Sequence, residues 1–126
     1  MNARDTAWLA TEFLRCGPWI QAALDEDLAT HTLDDVWDLI VSGPVQLWPT
    51  PNAVMVTVLE TFPRKKLLRG WLAGGKLSEI QEHEPRIRAW AEKQGCDHIV
   101  IGGRFGWLRA FDGYRRVSTA MARDLT

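Results

Sequence analysis

Hydrophobic positions recur at two different periods along this chain, and the change of period divides it. After Asp5, a candidate cap, Trp8, Leu9, Phe13 and Leu14 follow helical spacing until Gly17-Pro18, which predicts a first helix ending there. Pro18 then opens a second short helix with Trp19, Ile20, Ala23 and Leu24 as its apolar stripe. Thr32-Leu33-Asp34-Asp35 has the form of an N-cap before a third helix carrying Leu33, Val36, Trp37 and Ile40, stopped by Gly43-Pro44. From Val45 the texture is that of strands, at 45–48, 54–62 and 66–73, separated by Pro49-Thr50-Pro51-Asn52 and Pro63-Arg64-Lys65. Connections this short make an antiparallel meander.

The helical period returns after Gly74-Gly75. Ser78 with Gln81 three residues on satisfies the capping-box pattern, and Ile80, Ile87, Trp90 and Ala91 share one face. Pro85 inside this stretch is expected to bend or restart the helix, and Gly95 is placed to stop it. The run 98–101 is β-branched and bounded by glycines, which predicts a central strand covered on both faces. Strand, helix and strand form a β-α-β crossover, so the last two strands should be parallel with a right-handed connection. A short helix over 104–111 and a terminal antiparallel strand over 114–122, alternating Val117, Thr119 and Met121, complete an α/β (α+β) domain spanning 1–126.

Composition narrows the function classes. A length of 126 residues, 46% apolar and 25% charged, suits one globular core. A net charge of -1 with both signs interspersed gives no field for polyanions, which argues against nucleic acid and anionic membranes. No run approaches the ~18 apolar residues of a membrane span. Cys16 and Cys96 are far apart, no basic start leads into an apolar stretch, and a reducing cytoplasm with packed thiols is expected. Seven tryptophans are spread over the chain and are expected to fill the core, an exposed subset marking a partner surface instead.

The order of elements, helices, antiparallel meander, β-α-β crossover, short helix and final strand, resembles the GNAT-type N-acetyltransferase fold. More narrowly, Gln46-Leu47-Trp48, Pro63-Arg64-Lys65-Lys66, Trp71-Leu72-Ala73-Gly74-Gly75, residues 91–96 and Gly103-Arg104-Phe105-Gly106-Trp107 are similar to small GNAT-like proteins encoded by tailed phages and prophages. The resemblance implies an acetyl-CoA site whose pyrophosphate rests on backbone N–H groups between the fourth strand and the next helix, where unpaired donors and the helix dipole favour an anion. Here that segment reads Leu72-Ala73-Gly74-Gly75-Lys76-Leu77-Ser78, without the full glycine motif, and Arg69 has Leu72 where the pattern needs glycine. Either it is a plain strand-to-helix turn, or Ala73, Gly74, Gly75, Lys76 and Ser78, with Arg104, hold the cofactor.

The same resemblance implies a general acid on the short helix after the fifth strand, which must donate a proton within hydrogen-bond reach. The corresponding position is Phe111, which has no proton to give; Tyr114, the one tyrosine, is an alternative acid or else a packed ring. For the base, Glu60 continues the pattern Val54, Val56, Val58, either toward a cleft or into water beside the Pro63 turn. Cys96-x-His98 supplies at most two metal ligands where structural zinc needs four. His83 among Glu79, Glu82 and Glu84 is expected to favour its protonated form. Arg64-Lys65-Lys66 and Arg115-Arg116 read as edge charges or as a patch for a ligand or an acidic partner.

Three functions follow as expectations. One is a phage-encoded GNAT-like protein with a degenerate acetyl-CoA site, non-enzymatic, partnered with virion or assembly components and located in the host cytoplasm or the virion. The second is an acetyl-CoA-dependent N-acyltransferase acting on a protein or small-molecule amine, with Glu60 or Tyr114 handling protons. The third is a sensor that binds coenzyme A without turnover. A fold alone does not decide among them.

Overall fold

The alternation across residues 45–75 folds as the antiparallel meander its short turns demand. In the computed structural model, which describes residues 3–102 and 110–125, the strands are β1 (Val45–Thr50), β2 (Ala53–Thr61), β3 (Lys66–Gly75) and β4 (His98–Ile101). The helices are α1 (Ala3–Glu26), α2 (Leu33–Ser42) and α3 (Leu77–Lys93). Among the described residues this is a mixed α+β architecture, a four-stranded mixed sheet in the order β1-β2-β3-β4. β1–β2 and β2–β3 are antiparallel, with an irregularity between Val56 and Thr57, and β3–β4 is parallel.

Strand alternation sends successive side chains to opposite faces. Val45, Leu47, Val54, Val56 and Leu72 pack with Phe13, Cys16, Ile20 and Leu24 of α1 and with Val36 and Ile40 of α2. Ala53, Met55 and Leu68 pack on the other side with Ile80, Ile87 and Ala91 of α3 and with Phe111. The sheet therefore separates α1 and α2 from α3.

Both prolines were expected to interrupt helices, and neither does. α1 runs unbroken through Pro18 because Phe13, Cys16, Ile20 and Leu24 form one buried stripe that crosses it. Pro18 is exposed, so the carbonyl of Leu14 that lacks its helical donor is on the side where water replaces the bond. α3 likewise runs through Pro85, also exposed, on the stripe Ile80, Ile87, Ala91. The N-cap of α3 is Lys76, with no side-chain cap bond, rather than Ser78.

Other local signals hold. Thr32 and Asp35 form a reciprocal capping box at α2, and Gly43 ends it at φ 117°. Gly95, at φ 78°, takes the left-handed position after α3, with the Cys96 N–H donating to the Ala91 carbonyl. α1 closes with the same kind of bond, Ala29 N–H to the Leu24 carbonyl, but with Leu28 and Ala29 in the left-handed region at φ 63° and 49°. Such conformations cost a non-glycine residue about 1–2 kcal/mol.

The end of the chain departs from expectation. β4 is a terminal strand of the described sheet, not a central one, because the segment expected to flank it forms no strand: residues 114–122 carry no regular structure. Alternation over so short a stretch supplies too little apolar contact to fix a strand. Of the short helix expected over 104–111, Ala110 is helical, and residues 103–109 lie outside the described residues. None of the described tryptophans is fully buried: Trp19, Trp37, Trp48, Trp71 and Trp90 are half-buried and Trp8 is exposed. The core is mainly aliphatic, with Phe13 and Phe111 as its buried rings, and the indoles cover its margins.

Candidate functional site

Parallel β3 and β4 pair only over residues 67–70 and 98–101. Beyond Gly70, β3 continues to Gly75 while β4 ends at Ile101. Beside this parting lies a cleft of about 600 Å³ lined by residues 70–75 of β3, by Ile101 and Gly102, and by Ala23, Glu26 and Asp27 of α1 and its C-terminal turn. Leu77 and Ile80 at the start of α3 line its far end. At the mouth, the Trp71 indole N–H donates to Asp27 Oδ2 at 3.3 Å, and the His31 ring meets Trp71 edge-on at 4.8 Å.

Of the residues singled out for a cofactor, Ala73, Gly74 and Gly75 line this cleft, whereas Lys76 and Ser78 line a neighbouring depression. Arg104 lies outside the described residues. The two glycines have a packing reason to be glycine. A Cβ on Gly74 would come within 2.8 Å of Trp19 Cβ, so the bare backbone is what lets α1 lie on β3. Gly75 adopts φ 90°, and a Cβ there would collide with the Asn52 carbonyl oxygen.

The neighbouring depression contains Lys76, Ser78, Glu79, Glu82, His83 and Arg86. Glu79 is committed there: its Oε1 accepts from Thr50 Oγ1 at 2.7 Å and from the Asn52 N–H at 2.8 Å. These bonds, that from Thr50 first, hold its carboxyl below the usual carboxylate range. His83 is not held protonated by the glutamates around it. Burial, and secondly Arg86, push its pKa down, and its ring packs edge-on against Trp48 at 5.8 Å.

The groups proposed for proton transfer do not meet. Glu60 follows Val58, which packs on the α1–α2 side, and its Oε1 accepts from Nε of Arg69, the residue opposite Val58, at 2.6 Å. Tyr114 packs on the α3 side, its ring edge-on to Phe111. Its hydroxyl donates to Glu84 Oε1 at 3.1 Å, and the same oxygen faces Arg88 Nε at 3.5 Å. Burial first, then the Glu84 charge, raises the phenol pKa well above its ordinary value, so this hydroxyl holds its proton tightly. Glu60 and Tyr114 are on opposite faces of the sheet.

The described part of the cleft does not fit a coenzyme A pyrophosphate. It offers the carboxylates of Glu26 and Asp27 and, among the described residues, no cationic side chain. Like charge at short range would oppose a polyphosphate. Sequence reasoning missed Glu26, Asp27 and Trp71 as cleft residues. The acids end a helix far from β3 in the chain, and no local pattern announces that they arrive beside it.

No family model and no curated protein sequence matches this chain. Among solved structures, the fold is similar to a crystal structure of TTHA1254, a mutant form, from Thermus thermophilus. The TM-score is 0.58 at 10% sequence identity, over 76% of this chain and 81% of that one. At this identity the likeness concerns the fold alone. Among the described residues no helix is long and apolar enough to cross a membrane.

Proposed function

We propose that this chain is a GNAT-like protein of the small kind encoded by phages and prophages, acting by binding a partner and not by acyl transfer, as an accessory of virion assembly or a virion component. The phage context rests on the sequence resemblance. The order of elements and the parting of two parallel strands after a β-α-β crossover support the GNAT-like reading. The observation that carries the non-enzymatic part is the separation of Glu60 and Tyr114 on opposite faces, each engaged by another side chain. A general acid and base serving one reaction must reach the same substrate. Exposed Trp8 adds an aromatic of the kind used in partner surfaces.

The test is an acetyl-transfer assay on the full chain with acetyl-CoA and a panel of amines and lysine peptides, following free thiol, beside thermal denaturation with acetyl-CoA, coenzyme A and adenosine 3',5'-bisphosphate. No amine-dependent thiol release and no rise in Tm are expected. A ligand at a hundredfold excess over its Kd would add about 2.7 kcal/mol, a shift of several degrees. Turnover overturns the reading in favour of an active N-acyltransferase, and binding without turnover overturns it in favour of a coenzyme A sensor.

A further inference from the structure

The turn over residues 111–114 is anchored at both ends and free in the middle. Phe111 is buried in the α3-face cluster with Ile80, Ile87 and Ala91. Tyr114 lays its ring edge-on against Phe111 at 5.9 Å and donates its hydroxyl to Glu84 Oε1. Between these anchors stand Asp112 and Gly113, both exposed. Among the described residues neither has a hydrogen-bond or ion-pair partner. Gly113 takes φ 84°, in the left-handed region that glycine adopts without strain.

This is the only Asp-Gly pair in the chain, and no Asn-Gly pair occurs. Before a glycine, an aspartate carboxyl carbon is most open to attack by the next main-chain nitrogen, because no Cβ on the following residue stands in the way. The carboxyl must swing back onto its own main chain to be attacked. A partner holding it, as Arg69 holds Glu60 at 2.6 Å, would resist that swing. Asp112 is under no such restraint, and water reaches it freely.

We propose that Asp112-Gly113 is a site of self-modification, converting to an isoaspartyl link through a succinimide, and that the conversion unseats Tyr114 from Glu84. In the first step the Gly113 nitrogen bonds to Cγ of the protonated Asp112 carboxyl. The Cγ–OH bond breaks, and water leaves with that hydroxyl and the amide proton. The ring nitrogen is then shared between Cγ and the main-chain carbonyl carbon of Asp112, and water adds back at either carbon. Addition at Cγ restores aspartate. Addition at the main-chain carbon breaks its bond to nitrogen, so the chain runs through Cβ and Cγ and a carboxylate stands where the peptide carbonyl was. Water is the only co-reactant, and nothing is oxidised or reduced. The link between the two anchors is now longer by one methylene and differently directed, and closely packed groups do not follow such a change. Phe111 is the more deeply buried anchor, so Tyr114 is the one that gives. Neither step involves the cleft, and the outcome is independent of the function proposed above.

The test ages the full chain for weeks at neutral pH and body temperature and maps its peptides, with isoaspartyl methyltransferase and labelled S-adenosylmethionine as the probe. Label on the peptide holding residues 112–113, at unchanged peptide mass, is expected, preceded by a species lighter by one water. The Asp112→Glu chain, whose longer side chain disfavours ring closure, should lose the label while keeping its circular dichroism melt. An unlabelled full chain overturns the proposal, and a synthetic peptide of residues 110–115 aged beside it tells whether the fold or the chemistry is what blocks the step. In the converted chain the sole tyrosine should ionise near its ordinary pKa of about 10, where the unaged chain resists. Isoaspartate at 112–113 with Tyr114 still resisting ionisation overturns the unseating.

Discussion

The two faces of the sheet are fastened by different physics. On the α1–α2 face, Cys16, Ile20, Leu24, Val36 and Val56 are fully shielded from water, and the contact is mainly apolar, with Arg15 donating to the Thr50 and Pro51 carbonyls at its edge. On the α3 face the apolar cluster is smaller and polar bonds supplement it: Glu79 to Thr50 and Asn52, Gln81 Nε2 to the Ala110 carbonyl at 2.8 Å, Tyr114 to Glu84, and Lys66 Nζ to the Gln94 carbonyl at 2.7 Å. Apolar burial is indifferent to pH, whereas carboxylate hydrogen bonds are not. Asp27 accepts from the Trp71 indole on the α1 side, but more carboxylate bonds, those of Glu79 and Glu84, fasten the α3 face, so acid should loosen that face more.

The largest effect that bears on this contrast should come from Leu24→Ala, which empties a fully buried site on the aliphatic face. A loss of about 2–5 kcal/mol is expected in denaturant unfolding, at acid and neutral pH alike. Gly74→Ala should cost about 1–3 kcal/mol by pushing Trp19, and hence α1, off β3, again without pH dependence. On the α3 face lies buried Thr57, which accepts from Trp48 Nε1 at 2.9 Å and donates to Gln46 Oε1 at 2.8 Å. Thr57→Val strands both partners, for an expected loss of about 1–3 kcal/mol in the same unfolding measurement.

The smaller effects sharpen the pH side. Because the Glu79 carboxyl is held below its ordinary range, its contribution is complete above the unfolded carboxylate pKa of about 4.3 and fades as pH falls through the folded value. Hydrogen exchange under acid should show α3 amides opening before those of α1, and Glu79→Gln should remove that difference. Equal opening of both helices would refute the contrast. Tyr114 has the opposite sign. With its folded pKa raised, its contribution is complete below about 10 and is lost as pH rises through the folded value. As the sole tyrosine it can be followed by phenolate absorbance. It should resist ionisation until the chain unfolds, and Tyr114→Phe should flatten the alkaline loss of stability.

The local elements were legible where one physical cause dominated. Thr32 with Asp35 specified a cap, Gly43 and Gly95 specified helix ends, and two short proline-bearing turns left the meander no other pairing, although β1 runs on through Pro49 and Thr50 so that the first turn is residues 51–52 alone. Legibility failed where distant burial opposed a local signal. Pro18 and Pro85 read as breaks, yet each stands on the wet side of a helix whose buried stripe continues past it. It failed for His83 as well, since glutamates nearby in sequence say nothing of the Trp48 ring that shields it.

By itself the sequence determined the cap of α2, the glycine stops after α2 and α3, the antiparallel meander and the parallel return of β4, because these depend on neighbours a few residues apart. Tertiary structure alone decided that Gly74 is glycine for the sake of Trp19, that Glu60 and Tyr114 face opposite ways, and that Glu26 and Asp27 border the cleft. Those facts are set by which surfaces pack together across dozens of residues, and no short-range pattern encodes them.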